Sequence, residues 1–252
     1  MSTYLVSSAT LHNLYVLFHE AQAVAWRVAE NISKKDYISA FATLAAAFFG
    51  AMFAFRLQQR EKDRERRELQ IARANEALQR VIRMLNIVGD YRTKVVDPVR
   101  HMGQAAAVSM KPTLSEDVSR ERFDVADLSF MVTKEEQQAV FDLWLEERRF
   151  HTLMQAIDRR TKIHLDEYQP IAEAKKLHER RDLTLDALRT EVGPRVIDGL
   201  TALTSYIIKD VDDTLASLTA AKDTLRAVLK LRFPGQKFLD FELIKPEISA
   251  TK

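Results

Sequence analysis

The side chains best suited to chemistry lie in the C-terminal half of the sequence. Trp144, Glu147, Arg148 and His151 recur at three- and four-residue spacing, which puts them on one face of a helix. An acid, a cation and an imidazole on one face can line a polar pocket. The same spacing serves equally well for a buried Arg–Glu pair inside a helical core. His164, Asp166 and Glu167, and the neighbours His178 and Glu179, add metal-capable groups. Their spacing matches neither a His-Glu-x-x-His pair nor another defensible ligand set, so surface charge is the expected role. His12 and His19, two turns apart, make an incomplete metal site. Arg148-Arg149 and Arg159-Arg160 could hold an anion, although such pairs commonly serve ion pairs within a helix.

The six glycines are scattered and form no phosphate-cradling loop. The absence of cysteine excludes disulfides, thiolate nucleophiles and cysteine-ligated zinc or iron–sulfur centres. These residues predict no catalysis, no cofactor and no metal.

The elements that carry them read as helices. Glycine and proline number six each in 252 residues and cluster at a few points, as expected for long helices with few breaks. The expected fold is all-α: a single N-terminal transmembrane helix continuing into a long stalk helix and an antiparallel helical bundle. Residues 1–36 form an amphipathic N-terminal segment and 37–55 the transmembrane helix. Residues 56–102 form the charged stalk and first bundle helix, and 103–132 an irregular connection. Residues 133–232 form the bundle, and 233–252 an extended tail.

The span from Tyr37 to Phe55 holds 19 residues and no charge. As a helix it covers about 28 Å, close to the roughly 30 Å of a bilayer's hydrocarbon core. Arg56, Arg60, Lys62, Arg64, Arg66 and Arg67 crowd its C-terminal side, against Arg27, Lys34 and Lys35 on the other. That asymmetry places the C-terminal domain on the cytoplasmic side of an inner (cytoplasmic) membrane. Arg56, Arg60 and Lys62 are the expected contacts to anionic headgroups. Acidic residues interleave with these cations and no aromatics accompany them, which argues against nucleic acid.

Ala46, Gly50 and Ala54 repeat every four residues, as small residues do where helices pack closely in lipid. They are the expected surface for self-association into a homo-oligomer. Before the span, Leu11, Leu14, Tyr15, Phe18 and Ala25 follow helical spacing among polar residues. This segment reads as a helix on the membrane surface anchored by Tyr15 and Trp26, or packed on a partner.

Behind the stalk, Ile71, Ala74, Leu78, Val81, Leu85 and Val88 form an apolar stripe, with a break expected at Asp97-Pro98. Thr133 and Glu136 predict a capping box opening a helix that runs to about Tyr168. Its expected buried stripe is Val140, Trp144, His151 and Met154, widened by Phe141, Leu145, Ile157 and Leu165. Gln169-Pro170 should break the chain before a helix over about 171–192. The last long helix carries a heptad seam: Ile197, Leu200, Ile207, Val211, Leu218 and Leu225, with Thr204 and Thr214 among them. The seam can pack inside the chain or against another.

The function expected from these features is a membrane-anchored helical scaffold or sensor that binds a cytoplasmic protein partner, without catalysis. The alternative is an oligomeric membrane-perturbing effector, toxin-like or defence-type, acting through the transmembrane helix. Expected partners are membrane lipid, further copies of the chain and a cytoplasmic protein.

Overall fold

The computed structural model describes residues 19–22, 34–113, 117–180 and 184–240. Tyr15, Trp26, His12, most of the amphipathic N-terminal segment and the tail beyond Asp240 lie outside them. No strand occurs among the described residues, and helices dominate. The chain divides into two compact units, residues 1–66 and 67–252.

In the first unit, helix α1 (Lys34–Tyr91) carries the apolar segment. Within the helical run Phe41–Val96 an 18-residue window has mean hydropathy 1.4, and none of it is buried in the chain. Among the described residues this is one helix long and apolar enough to cross a membrane. Phe41, Leu44, Phe48, Phe49 and Phe53 are all exposed on one half of the helix, and the small residues Ala46, Gly50 and Ala54 are exposed on the other. The 19 residues from Tyr37 to Phe55 carry no charge on any side of the helix. Within the apolar segment Thr43 Oγ1 donates to Ser39 O at 2.9 Å.

The second unit is built on the later part of α1. Ala74, Leu78, Val81, Leu85 and Val88 are buried, as their spacing predicts. After Tyr91 the chain makes a π-helical turn, Arg92–Val96, in which Asp97 N donates to Arg92 O at 2.8 Å. Helical bonding then lapses at Asp97-Pro98, where the proline removes a donor. The connection that follows is broken into short pieces: a 3₁₀ stretch Arg100–Ala105, helix α2 (Ala106–Ser109) and a 3₁₀ turn Val125–Leu128.

Helix α3 (Lys134–Lys162) opens on the expected capping box. Thr133 Oγ1 accepts from Glu136 N at 3.3 Å, and the Glu136 carboxylate accepts from Thr133 N at 2.9 Å. Of its expected stripe Ile157 is buried and Val140 and Met154 pack half-buried against the core, but the rest differs. Ala139, Leu143, Phe150, Leu153 and Ile157 face the core, while Trp144, Phe141 and Leu145 are 57%, 52% and 46% exposed. Both stripes are apolar, and only the position of the neighbouring helices chooses between them.

The break expected at Gln169-Pro170 is absent. A π-helical turn, Ile163–Tyr168, leads straight into helix α4 (Gln169–Ala174), with Pro170 in its first turn where its missing N–H costs least. The single helix expected over 171–192 is instead interrupted after Ala174. Lys176 takes a left-handed conformation, φ 49°, and helix α5 (Leu185–Val192) restarts where Thr184 Oγ1 accepts from Ala187 N. Gly193 sits at φ 107°, which a side chain would strain, and Pro194 opens helix α6 (Pro194–Arg232).

Helices α3 and α6 run antiparallel, as their cross-contacts show. Glu136 meets Arg232 at 2.8 Å, Glu146 accepts from Ser217, and Arg160 donates to Thr204 at 2.8 Å. Ile207, Val211, Leu218 and Leu225 of α6 join a core with the α1 and α3 stripes. Ile197 and Leu200 belong to a second core with Ala107, Leu177, Leu188, Val192 and Val196. All six seam residues are 0% exposed, so the seam is turned onto this chain's own helices. The tail after α6 folds back: Phe238 is buried beside Phe233, and Leu239 N donates to Asn75 Oδ1 at 3.3 Å.

Candidate functional site

Glu147 and His151 lie on one face of α3, and both meet backbone groups of the connecting segment. That face fastens the segment. Glu147 accepts from Phe123 N at 2.7 Å, and His151 Nε2 lies 3.0 Å from Glu121 O. From α1, Arg80 donates to Arg122 O at 2.7 Å, and Arg83 pairs with the buried Glu121 at 3.3 Å. The segment's backbone polar groups thus find partners on two helices. Trp144 and Arg148 remain exposed and outside this arrangement.

The arginine pairs separate by environment. Arg149 pairs with Glu146 of its own helix at 2.9 Å, as such spacing allows. Arg160 is 1% exposed. Its Nε donates to Thr204 Oγ1 at 2.8 Å, and its Nη2 donates to Ala107 O at 3.0 Å and Met110 O at 2.7 Å. These three acceptors are neutral oxygens. Burial lowers the Arg160 pKa from its ordinary value. Burial likewise pushes the nearby Tyr91 phenol up to about 12, with the charge of Arg160 opposing. Tyr91 donates to Met110 Sδ at 3.7 Å. Arg160 therefore ties α2 to α3 and α6 at the junction of the two cores. The sequence did contain a signal for this: Arg160 continues the buried series Phe150, Leu153 and Ile157 at helical spacing.

One turn on, His164 is also buried. Burial, and then the charge of Arg160, lower its pKa, while a hydrogen bond to the backbone of Val108 acts the other way. His164 and Tyr168 lie in the π-helical turn with ring centroids 5.2 Å apart. They line a cleft of about 570 Å³ together with Val108, Ala172, Leu177 and Leu188. Gln169, Glu173, His178 and Arg180 complete its wall. A second cleft, of about 430 Å³, lies by His151, Asp117 and Asp158.

The other expected metal-capable residues are occupied elsewhere. Glu167 pairs with Arg195, and His178 Nε2 lies 3.8 Å from Glu179. Among the described residues no group of three His or acidic side chains is placed to hold a metal ion. Ala46, Gly50 and Ala54 are exposed on α1, and a Cβ added at Gly50 would meet nothing within 4 Å. Arg56, Arg60 and Lys62 are exposed as well.

Two further features escaped the sequence reading. Arg232 is held by Glu136 and lies over the Phe130 ring, 5.4 Å from its centroid. Burial alone would raise the Glu136 pKa. Hydrogen bonds from Thr133 N, Arg232 and Val132 N outweigh it and hold the carboxyl below its usual range. At the far end, Arg92 and Arg100 converge on Asp212 of α6, with Asp97 beside them.

No family model, no curated protein and no solved structure matches this chain.

Proposed function

We propose that the chain is a single-pass protein of the inner (cytoplasmic) membrane whose C-terminal helical bundle lies in the cytoplasm. There it acts as a scaffold or sensor for a protein partner, without catalysis. The observation that carries this reading is the apolar window of α1, none of which the chain itself covers. Lipid satisfies such a surface, and the arginines and lysine at 56, 60 and 62 suit the anionic headgroups beside it.

The use of side chains supports a non-catalytic role. Glu147 and His151 hold backbone groups, and Glu136 and Arg160 fasten helices. The exposed Phe141, Trp144 and Leu145 on α3 offer a partner an aromatic and apolar surface of the kind that marks protein contacts.

Topology is the direct test. The chain lacks cysteine, so single cysteines at Ser8 and at the exposed Ser129 can be labelled without background. A membrane-impermeant reagent should reach Ser8→Cys from outside intact cells and Ser129→Cys only after lysis. Labelling of both from one side ends the single-pass reading. Partner binding is tested by affinity isolation from detergent: a stoichiometric companion lost on Trp144→Glu is expected, and a protein that remains solitary counts against the scaffold.

A second reading rests on Gly50, whose open surroundings leave room for another helix. Copies packed through Ala46, Gly50 and Ala54 would form an oligomer that perturbs the membrane. Overexpression should then depolarise cells in a manner lost on Gly50→Leu; unchanged membrane potential removes this reading.

A further inference from the structure

The outer face of α3 lacks carboxylates although the helix does not. Of its six acidic side chains only Glu135, in the first turn, is exposed. Glu136 and Glu146 are buried in contacts with α6, and Glu147 holds the backbone of Phe123. Asp142 is half-buried and accepts from Gln138 at 2.8 Å, and Asp158 is half-buried in the cleft by His151. Past the first turn, the helix therefore shows solvent its cations without its acids.

Arg148, Arg159 and Lys162 are exposed and make no ion pair among the described residues. Arg148 stands one turn beyond Trp144, Arg159 three turns beyond Arg148, and Lys162 one turn further, so all of them share a face. Arg149 is off this face, paired with Glu146. The face divides along its length. Phe141, Trp144 and Leu145 make its N-terminal half apolar and aromatic, and the three free cations make its C-terminal half basic. It lies wholly within residues 67–252, so it stands apart from the question of anchoring.

This division selects the occupant. A second copy fits poorly through the same face. Laid antiparallel, it sets Phe141 and Trp144 against Arg159 and Lys162; laid parallel, it sets cation on cation. A helix that lies in a lipid surface has its cations on the polar face, away from the apolar one. Here the cations continue the apolar face end to end. A protein segment that brings its own carboxylates matches both halves.

We propose that the outer face of α3 docks a helical segment of a protein partner, apolar at one end and acidic at the other. Its apolar end covers Trp144, and its carboxylates meet Arg148, Arg159 and Lys162. The inference rests on the scaffold reading above and specifies the chemistry of that partner. Tryptophan and arginine are the side chains that most often carry binding energy at interfaces. Charge complementarity of this kind chooses the partner and speeds encounter more than it adds affinity. Trp144 is thus the anchor and the cations are the selectors.

Two synthetic helical peptides as long as α3 serve as probes. Both carry leucines along one half of a face; the other half carries glutamates in the probe and lysines in the control. Gln137, exposed near Trp144 on the same side of the helix, is replaced by p-benzoylphenylalanine in the full-length protein in neutral detergent. Illumination then joins to this position whatever lies over it, and partition of peptide into micelles leaves no adduct there. The glutamate peptide should be captured saturably, about tenfold or more tightly than the lysine peptide, and less at high salt. Joint Arg148→Glu and Arg159→Glu substitution should weaken capture by about tenfold or more, as should Trp144→Glu. These side chains are exposed, so the melting temperature should not move; the paired glutamine substitutions repeat the test should charge reversal lower it.

Capture of neither peptide, equal capture of both, or capture undiminished by the arginine changes overturns the proposal. So does an adduct between two copies, or, in bilayers containing phosphatidylglycerol, an adduct to lipid in place of peptide. Affinity isolation separates this outcome from failure of the scaffold reading. A stoichiometric companion retained in full by the Arg148→Glu, Arg159→Glu protein leaves the scaffold standing and removes this surface.

Discussion

Replacing Arg160 by Met tests whether a buried guanidinium fastens the two cores. Methionine keeps an unbranched apolar stem and brings no donor. Three hydrogen bonds are lost, at 2.8, 3.0 and 2.7 Å to Thr204, Ala107 and Met110. Bonds from a charged donor contribute about 1.5–3 kcal/mol each, so the gross loss is about 4.5–9 kcal/mol. Desolvating the guanidinium offsets several kcal/mol of this, since these acceptors are neutral oxygens. The expected net loss is about 2–4 kcal/mol. For a chain of this size that lowers Tm by roughly 4–16 °C. The effect should begin locally, because two of the three acceptors are carbonyls of α2 and its C-terminal neighbour. Hydrogen exchange read by mass spectrometry on the full-length protein in detergent should show faster exchange across 106–110. Arg160→Lys keeps the charge but not the fork that reaches several acceptors, and should fall between. If Arg160→Met melts within about 2 °C of the parent and exchange at 106–110 is unchanged, the fastening role is refuted.

The capping glutamate gives a pH-dependent expectation. The Glu136 carboxyl is held below its usual range in the folded chain, so its contribution is present above its ordinary value of 4.5 and is lost as pH falls through the folded value. Glu136→Gln should cost about 1 kcal/mol or more at pH 7 through the cap and the Arg232 contact. The difference in urea midpoint should narrow towards pH 3, and a constant difference would contradict the assignment. Gly193→Ala should destabilise by about 1–3 kcal/mol through backbone strain alone, because a Cβ there meets no atom within 4 Å; a neutral thermal melt counts against it. Gly50→Leu should leave the melting temperature unchanged yet lower energy transfer between labelled copies in bilayers, and unchanged transfer excludes the span as an assembly surface.

Much of the local structure was legible in the residues themselves. An uncharged run from Tyr37 to Phe55 is apolar whatever surrounds it, and the spacing of Ala74, Leu78, Val81, Leu85 and Val88 admits one buried face. The Thr133–Glu136 capping box and the lapse at Asp97-Pro98 involve only neighbours in the chain, so no tertiary contact is needed to foresee them. Pro170 misled because a proline in a first turn is compatible with helix on both sides once a π-helical turn absorbs the offset.

Tertiary structure decided what local pattern left degenerate. Helix α3 carries two apolar stripes, and the packing of α1 and α6 chose the one through Leu143, Phe150 and Leu153, leaving Trp144 exposed. The seam from Ile197 to Leu225 could also have met a partner chain; the core with α1 and α3 takes Ile207 to Leu225, and the second core takes Ile197 and Leu200. Helical spacing puts Arg160 in line with the buried Phe150, Leu153 and Ile157, but says nothing of what it binds. Its role comes from Thr204, 44 residues later, and from two carbonyls 50 and 53 residues earlier. His164 and its cleft depend in the same way on Val108, Leu177 and Leu188, which local spacing cannot bring together. Periodicity determines which residues must leave water. Which of them meet, and which polar groups are enclosed among them, is set by the packing of distant segments.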